Sequence, residues 1–156
     1  MVIATALLTI IGMVGGYLLG QERDRSEPEP EPDFSSSPSL LPAGPACPEQ
    51  TQLIGPEHGA SGELRQVLRV RTRSKMVVWI CQDEVGALFY HANRGGTDAE
   101  WVENKTALFL PRVRRTESGR YEAEAYDGNR FSVDKERLLI TYADGRTDEQ
   151  KVVKGD

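Results

Sequence analysis

A mainly β fold is predicted for this chain: an N-terminal transmembrane helix, a disordered linker, and a small antiparallel β barrel or sandwich. Three observations predict it. Residues 2–20 carry no charge, residues 21–46 are rich in acids, proline and serine, and after Cys47 the apolar residues recur with period two. That is the strand period, so the β domain is expected over residues 47–154. At 156 residues, with the flanks unable to join a core, there is room for one small hydrophobic core.

Val2 to Gly20 is nineteen residues long. As a helix rising 1.5 Å per residue it would reach about 28 Å, close to the hydrocarbon thickness of a bilayer. A cleaved signal peptide would begin with Lys or Arg and end in a small-x-small site, whereas this stretch ends Tyr17-Leu18-Leu19-Gly20. A retained single-pass anchor in the cell membrane is therefore expected. Gly12, Gly16 and Gly20 form two overlapping GxxxG units through which a second helix would approach closely, giving a homodimer through the anchor. The plainer reading is that glycine is common in membrane helices.

Residues 21–33 hold six acids and two arginines, a net charge of -4 out of -5 for the whole chain. Glu-Pro-Glu-Pro-Glu-Pro-Asp and a serine run follow from Glu27, with few residues able to join a core. Repeated proline and like charge favour an extended stalk, about 3 Å per residue and up to roughly 80 Å long. The remaining domain is near neutral and lacks the basic footprint of a nucleic-acid binder, so no nucleic-acid partner is expected. Orientation rests on conflicting signs. Arg23 and Arg25 just after the helix favour a cytoplasmic C-terminus by positive-inside counting, while the stalk and the cysteines favour an extracytoplasmic one. The extracytoplasmic placement is the expectation.

Within the domain, Leu64, Leu68, Val70 and Thr72 are expected on one face of a strand. Arg65, Arg69, Arg71, Arg73 and Lys75 are then expected together on the other. Met76 to Cys81 is a continuous apolar run rich in β-formers; Asp83 to Gly86 turns it into Ala87 to His91. Asn93 to Asp98 reads as an exposed loop, and Pro111 marks an edge or bulge in Thr106 to Val113. Ser118-Gly119, Asp127-Gly128 and Asp144-Gly145 are turn signals that separate the later strands, making six or seven in all. Cys47 and Cys81 lie on the same side of the anchor. A disulfide between them would close a loop of about 35 residues, contributing about 4 kcal/mol by the chain-entropy model.

The two histidines, His58 and His91, are not at metal-ligand spacing, so no metal or cofactor is expected. No Gly-x-Ser-x-Gly elbow is present, and the chain reads as a non-enzyme. Paired carboxylates, Asp98 with Glu100 or Glu122 with Glu124, keep open a hydrolase of wall glycans, against the simpler reading of a solvated charged face. The basic stripe suits an anionic partner, either an envelope protein or a wall or lipid component. Its alternative is a ladder of cross-strand ion pairs with Glu122 and Glu124.

From Val78 to Ile140 the order Trp79-Ile80-Cys81, Phe89-Tyr90, Leu108-x-Leu110-Pro111 and Ser118-Gly119-x-Tyr121 resembles the membrane-bound inhibitors of C-type lysozyme. The resemblance implies a small tethered barrel whose Ser118, Gly119 and Tyr121 belong to a loop that enters the lysozyme cleft. Ser118 and Tyr121 stand one residue closer together than the family's pair. Phe131-Ser132-Val133-Asp134-Lys135 stands where the family carries Trp-x-Lys-Gly. The leading expectation is a membrane-anchored, extracytoplasmic, non-enzymatic binding or accessory domain. Lysozyme inhibition and glycan hydrolysis are the alternatives.

Overall fold

A computed structural model describes residues 44–155. The anchor expected over residues 2–20, with Gly12, Gly16 and Gly20, and the linker as far as residue 43 lie outside the described residues. Among those described, no helix is long and apolar enough to cross a membrane.

A short helix, α1 (Glu49–Ile54), runs into a 3-10 turn (Gly55–His58). Nine strands follow among the described residues: β1 (Arg65–Arg71), β2 (Val77–Gln82), β3 (Leu88–Asn93), β4 (Ala107–Leu110), β5 (Arg114–Arg115), β6 (Tyr121–Glu124), β7 (Arg130–Val133), β8 (Arg137–Thr141) and β9 (Thr147–Lys151). They form two antiparallel meanders, β1-β2-β3-β4 and β5-β6-β7-β8-β9. The sheets are not closed into a barrel. Their edges touch where Thr72 bridges Val152 and the Val153 amide donates to the Arg71 carbonyl at 2.7 Å. Pro111 ends β4, the edge strand of the first sheet, and the chain crosses there to β5, the edge of the second. A residue without an N–H suits that position.

The continuous apolar run of β2 is explained by burial on both faces. Val78 and Ile80 face the second sheet and pack with Leu68, Tyr90, Phe131 and Ile140. Val77, Trp79 and Cys81 face the opposite way, into a separate cluster with Leu64, Phe89 and Phe109. That outer cluster is closed by Ile54, Ala60 and Trp101, residues of α1 and the connecting segments. The Cys47–Cys81 disulfide fastens the segment before α1 to the centre of the first sheet. Gly44 to Ala46, which the sequence assigns to the linker, run beside β1 instead. The Gln66 amide donates to the Pro45 carbonyl at 2.8 Å, and Ala46 bridges Arg65.

One expectation for β1 is overturned. The register slips between Gln66 and Leu68, so Gln66 pairs with Cys81 while Leu68 pairs with Ile80. An inserted residue inverts the alternation. Leu64 therefore belongs to the outer cluster and Leu68 and Val70 to the inner one, and Arg65 is on the opposite face from Arg69 and Arg71.

Five hairpins use one turn design, in which a five-residue turn places its fourth residue in the left-handed region. Gly86, Gly119, Gly128 and Gly145 take that place with φ between 81° and 90°. In the β1–β2 hairpin the same position is held by Lys75 at φ 66°. A side chain there is strained where glycine is not.

Replacing both Cys47 and Cys81 by Ala is expected to lower unfolding free energy by about 4 kcal/mol. Urea denaturation would read this, with a steeper slope because the unfolded chain without its cross-link exposes more surface. A loss below about 1 kcal/mol would mean that the remaining contacts hold α1 in place unaided.

Candidate functional site

The outer face of the first sheet carries a polar group that no sequence spacing announces. His91 projects from β3 beside Trp79, its partner on β2. Its Nε2 is 2.6 Å from Glu103 Oε1 and its Nδ1 is 2.8 Å from Thr51 Oγ1 on α1. Glu103 Oε2 accepts from the Phe109 amide at 3.1 Å. With Glu103 as a carboxylate, Nε2 carries the proton and Nδ1 accepts from the Thr51 hydroxyl. Trp101 and Phe109 pack edge-on against the ring, at centroid distances of 4.9 and 5.2 Å.

Hydroxyl, imidazole and carboxylate stand here in the order of a nucleophilic triad. Thr51 and His91 are both 0% exposed, however, and both ring nitrogens are hydrogen-bonded within the domain. The arrangement acts as a bridge, with one histidine joining α1, β3 and the segment ahead of β4. That segment is itself folded back. The Asn93 side-chain amide donates to the Gly96 carbonyl at 2.9 Å, and Trp101 Nε1 donates to the Thr97 carbonyl at 3.1 Å. Asn93 and Gly96 are buried, contrary to the exposed loop expected for them.

The carboxylate pairs considered for hydrolysis are otherwise engaged or simply exposed. Glu122 pairs with Arg114 at 3.7 Å and Glu124 with Arg130 at 3.5 Å, all on the second sheet. Asp98 and Glu100 are exposed. Glu122 and Glu124 are thus partners of their own sheet's arginines and not of the β1 stripe. In the β5–β6 turn Ser118 is exposed, its hydroxyl 2.9 Å from that of Thr116, while Tyr121 is buried in the core between the sheets. The structure separates these two residues of the suggested inhibitory loop.

The basic stripe is partly assembled. Arg65 leaves it: it pairs with Glu63 at 3.1 Å and donates to the Gly44 carbonyl at 3.3 Å. Arg69 and Arg71 extend outward from the same face of β1, and Arg73 and Lys75 are exposed in the turn that follows. The Arg73 amide donates to the Lys151 carbonyl at 3.0 Å, which brings an exposed fifth cation from β9 alongside. Sequence reading could not supply Lys151, because the contact joins the two sheets. Among the described residues, Arg69, Arg73 and Lys75 have no ion-pair partner. Comparison with known proteins finds no matching family, no matching curated protein and no matching solved structure.

Burial holds the His91 pKa below its ordinary value near 6.5, against the opposing pull of Glu103. The unfolded chain therefore binds this proton more readily than the folded one. The histidine's contribution to stability is complete above about pH 6.5 and is lost as pH falls from there through the folded-state pKa. Urea midpoints measured from pH 7.5 down to 5.5 should fall for the wild type and stay flatter for His91→Gln. Thr51→Val should cost about 1–3 kcal/mol at neutral pH by leaving Nδ1 without a donor.

Proposed function

We propose that this chain is a non-enzymatic, extracytoplasmic binding domain held at a membrane by its N-terminal segment, and that its partner is anionic. The observation that carries the reading is Lys75. Four sister hairpins place glycine at the left-handed position, yet the β1–β2 hairpin holds a lysine there, in the surface that also contains Arg69, Arg71 and Arg73. Backbone strain retained at a charged, exposed position is what a binding site displays when charge matters more than turn stability.

The surroundings support the same reading. On the outer face of the second sheet, arginines are matched by acids across neighbouring strands, as in Arg114–Glu122 and Arg137–Glu149. Those pairs leave little net attraction for a ligand. Among the described residues Arg69, Arg73 and Lys75 have no ion-pair partner, and unmatched charge both attracts an anionic partner and raises the rate of encounter. The Cys47–Cys81 disulfide supports an oxidising compartment, where such bonds persist.

Three measurements test this: stability, capture and labelling. Lys75→Gly should stabilise the domain by about 1 kcal/mol, since glycine removes the left-handed penalty, while weakening capture of the partner from envelope extracts. Replacing Arg69, Arg71, Arg73 and Lys75 together by Gln should lower that capture about tenfold or more, equivalent to about 1.4 kcal/mol, and flatten its salt dependence. Capture that is unchanged in the fourfold variant would refute the basic surface as the site. A membrane-impermeant maleimide should label a Tyr126→Cys variant in intact cells, since that position is 97% exposed. Labelling that requires lysis would place the domain in the cytoplasm.

A further inference from the structure

Between the two sheets, at the end where the β6–β7 turn approaches the segment before β4, lies a cavity of about 330 Å3. Its volume is within the usual range for small-molecule sites. Ala92, Leu108, Phe131 and Ile140 supply apolar walls, and Arg94, Lys105, Asp127 and Asn129 supply polar ones. Among the described residues neither Arg94 nor Lys105 has an ion-pair partner, so the polar part of the lining carries an excess of positive charge.

Tyr90 also lines this cavity. It is 1% exposed, its ring lies 5.3 Å from that of Phe131, and its hydroxyl is buried without a hydrogen-bond partner. Buried hydroxyls are almost always paired, because leaving one unpaired costs free energy that phenylalanine would avoid at the same position. Burial also pushes the phenol pKa well above its ordinary value, so the group remains a donor throughout the accessible pH range. Arg94 follows Tyr90 by four residues, about 13 Å along an extended strand. Both residues line the cavity, and the side chains of Ala92, Leu108, Phe131 and Ile140 make its apolar walls.

We propose that this cavity binds a small, elongated organic acid. An oxygen at the acid's inner end accepts a hydrogen bond from Tyr90, its apolar body lies between the sheets, and its carboxylate meets Arg94 and Lys105. The site is separate from the basic surface of β1, and one can fail without the other.

Calorimetric titration of the purified full chain with para-hydroxyphenylpropionate, and with phenylpropionate as the analogue lacking the inner oxygen, tests the proposal. The hydroxylated acid is expected to bind about tenfold more tightly, the value of one neutral hydrogen bond. Tyr90→Phe should abolish that preference and raise the thermal midpoint of the unliganded protein, because it deletes a partnerless hydroxyl without removing the ring. The pair Arg94→Gln and Lys105→Gln should weaken both acids alike while leaving the preference between them. Absence of binding by either acid at millimolar concentration overturns the proposal and leaves the cavity to water. So does an equal preference in wild type and Tyr90→Phe.

Discussion

The central strands of the first sheet, β2 and β3, are buried on both faces, and the rest of the domain is arranged around meeting that requirement. Each buried large apolar side chain is worth roughly 1.5–3 kcal/mol, but only if something covers it. The second sheet covers Val78, Ile80 and Tyr90. On the other side Trp79, Phe89 and Phe109 depend on α1, the 3-10 turn and Trp101. A six-residue helix has no stability of its own in water. It is held by fastenings of three kinds: the disulfide, the Thr51–His91 hydrogen bond, and Gln52, whose side chain donates to the Leu64 carbonyl at 2.6 Å and accepts from the Leu64 amide at 2.9 Å. Each fastening joins residues far apart in the chain, so the cover is ordered by tertiary contacts.

The edges of the first sheet are managed by the same means. An unpaired strand edge invites association with other chains. On β1 the edge is occupied at one end by residues 44–47 and at the other by residues 151–153, with the bulge between them. This leaves Arg69 in the uncovered middle and Arg73 and Lys75 in the turn beyond it. The basic surface is thus a consequence of how the edge is closed, and the strained lysine gives it a feature that edge protection alone does not require.

Much of the fold was readable in the residues. Period-two alternation after Cys47, the apolar run of β2 and the four glycine turns all mark what the structure contains, because each is a local preference repeated within a few residues. The Cys47–Cys81 pairing is also present. The two-residue β5 and the four-residue β7 were too short for a periodic signal. The helix escaped for the same reason. The bulge at Val67 escaped because a single inserted residue changes every facing that follows it while leaving the composition of the strand unaltered.

What the sequence determined by itself is therefore the set of short-range choices: which stretches extend, where they turn, and that β2 must lie in the interior. The tertiary structure decided which residues meet across the fold. It bridged Thr51, His91 and Glu103, moved Arg65 away from the other basic residues and added Lys151, buried Tyr121, and left the Tyr90 hydroxyl unpaired beside a cavity. Hydrophobic period and turn chemistry act over a few residues and can be read directly. Strand register, and the pairing of polar groups forty residues apart, depend on the packing of the whole domain.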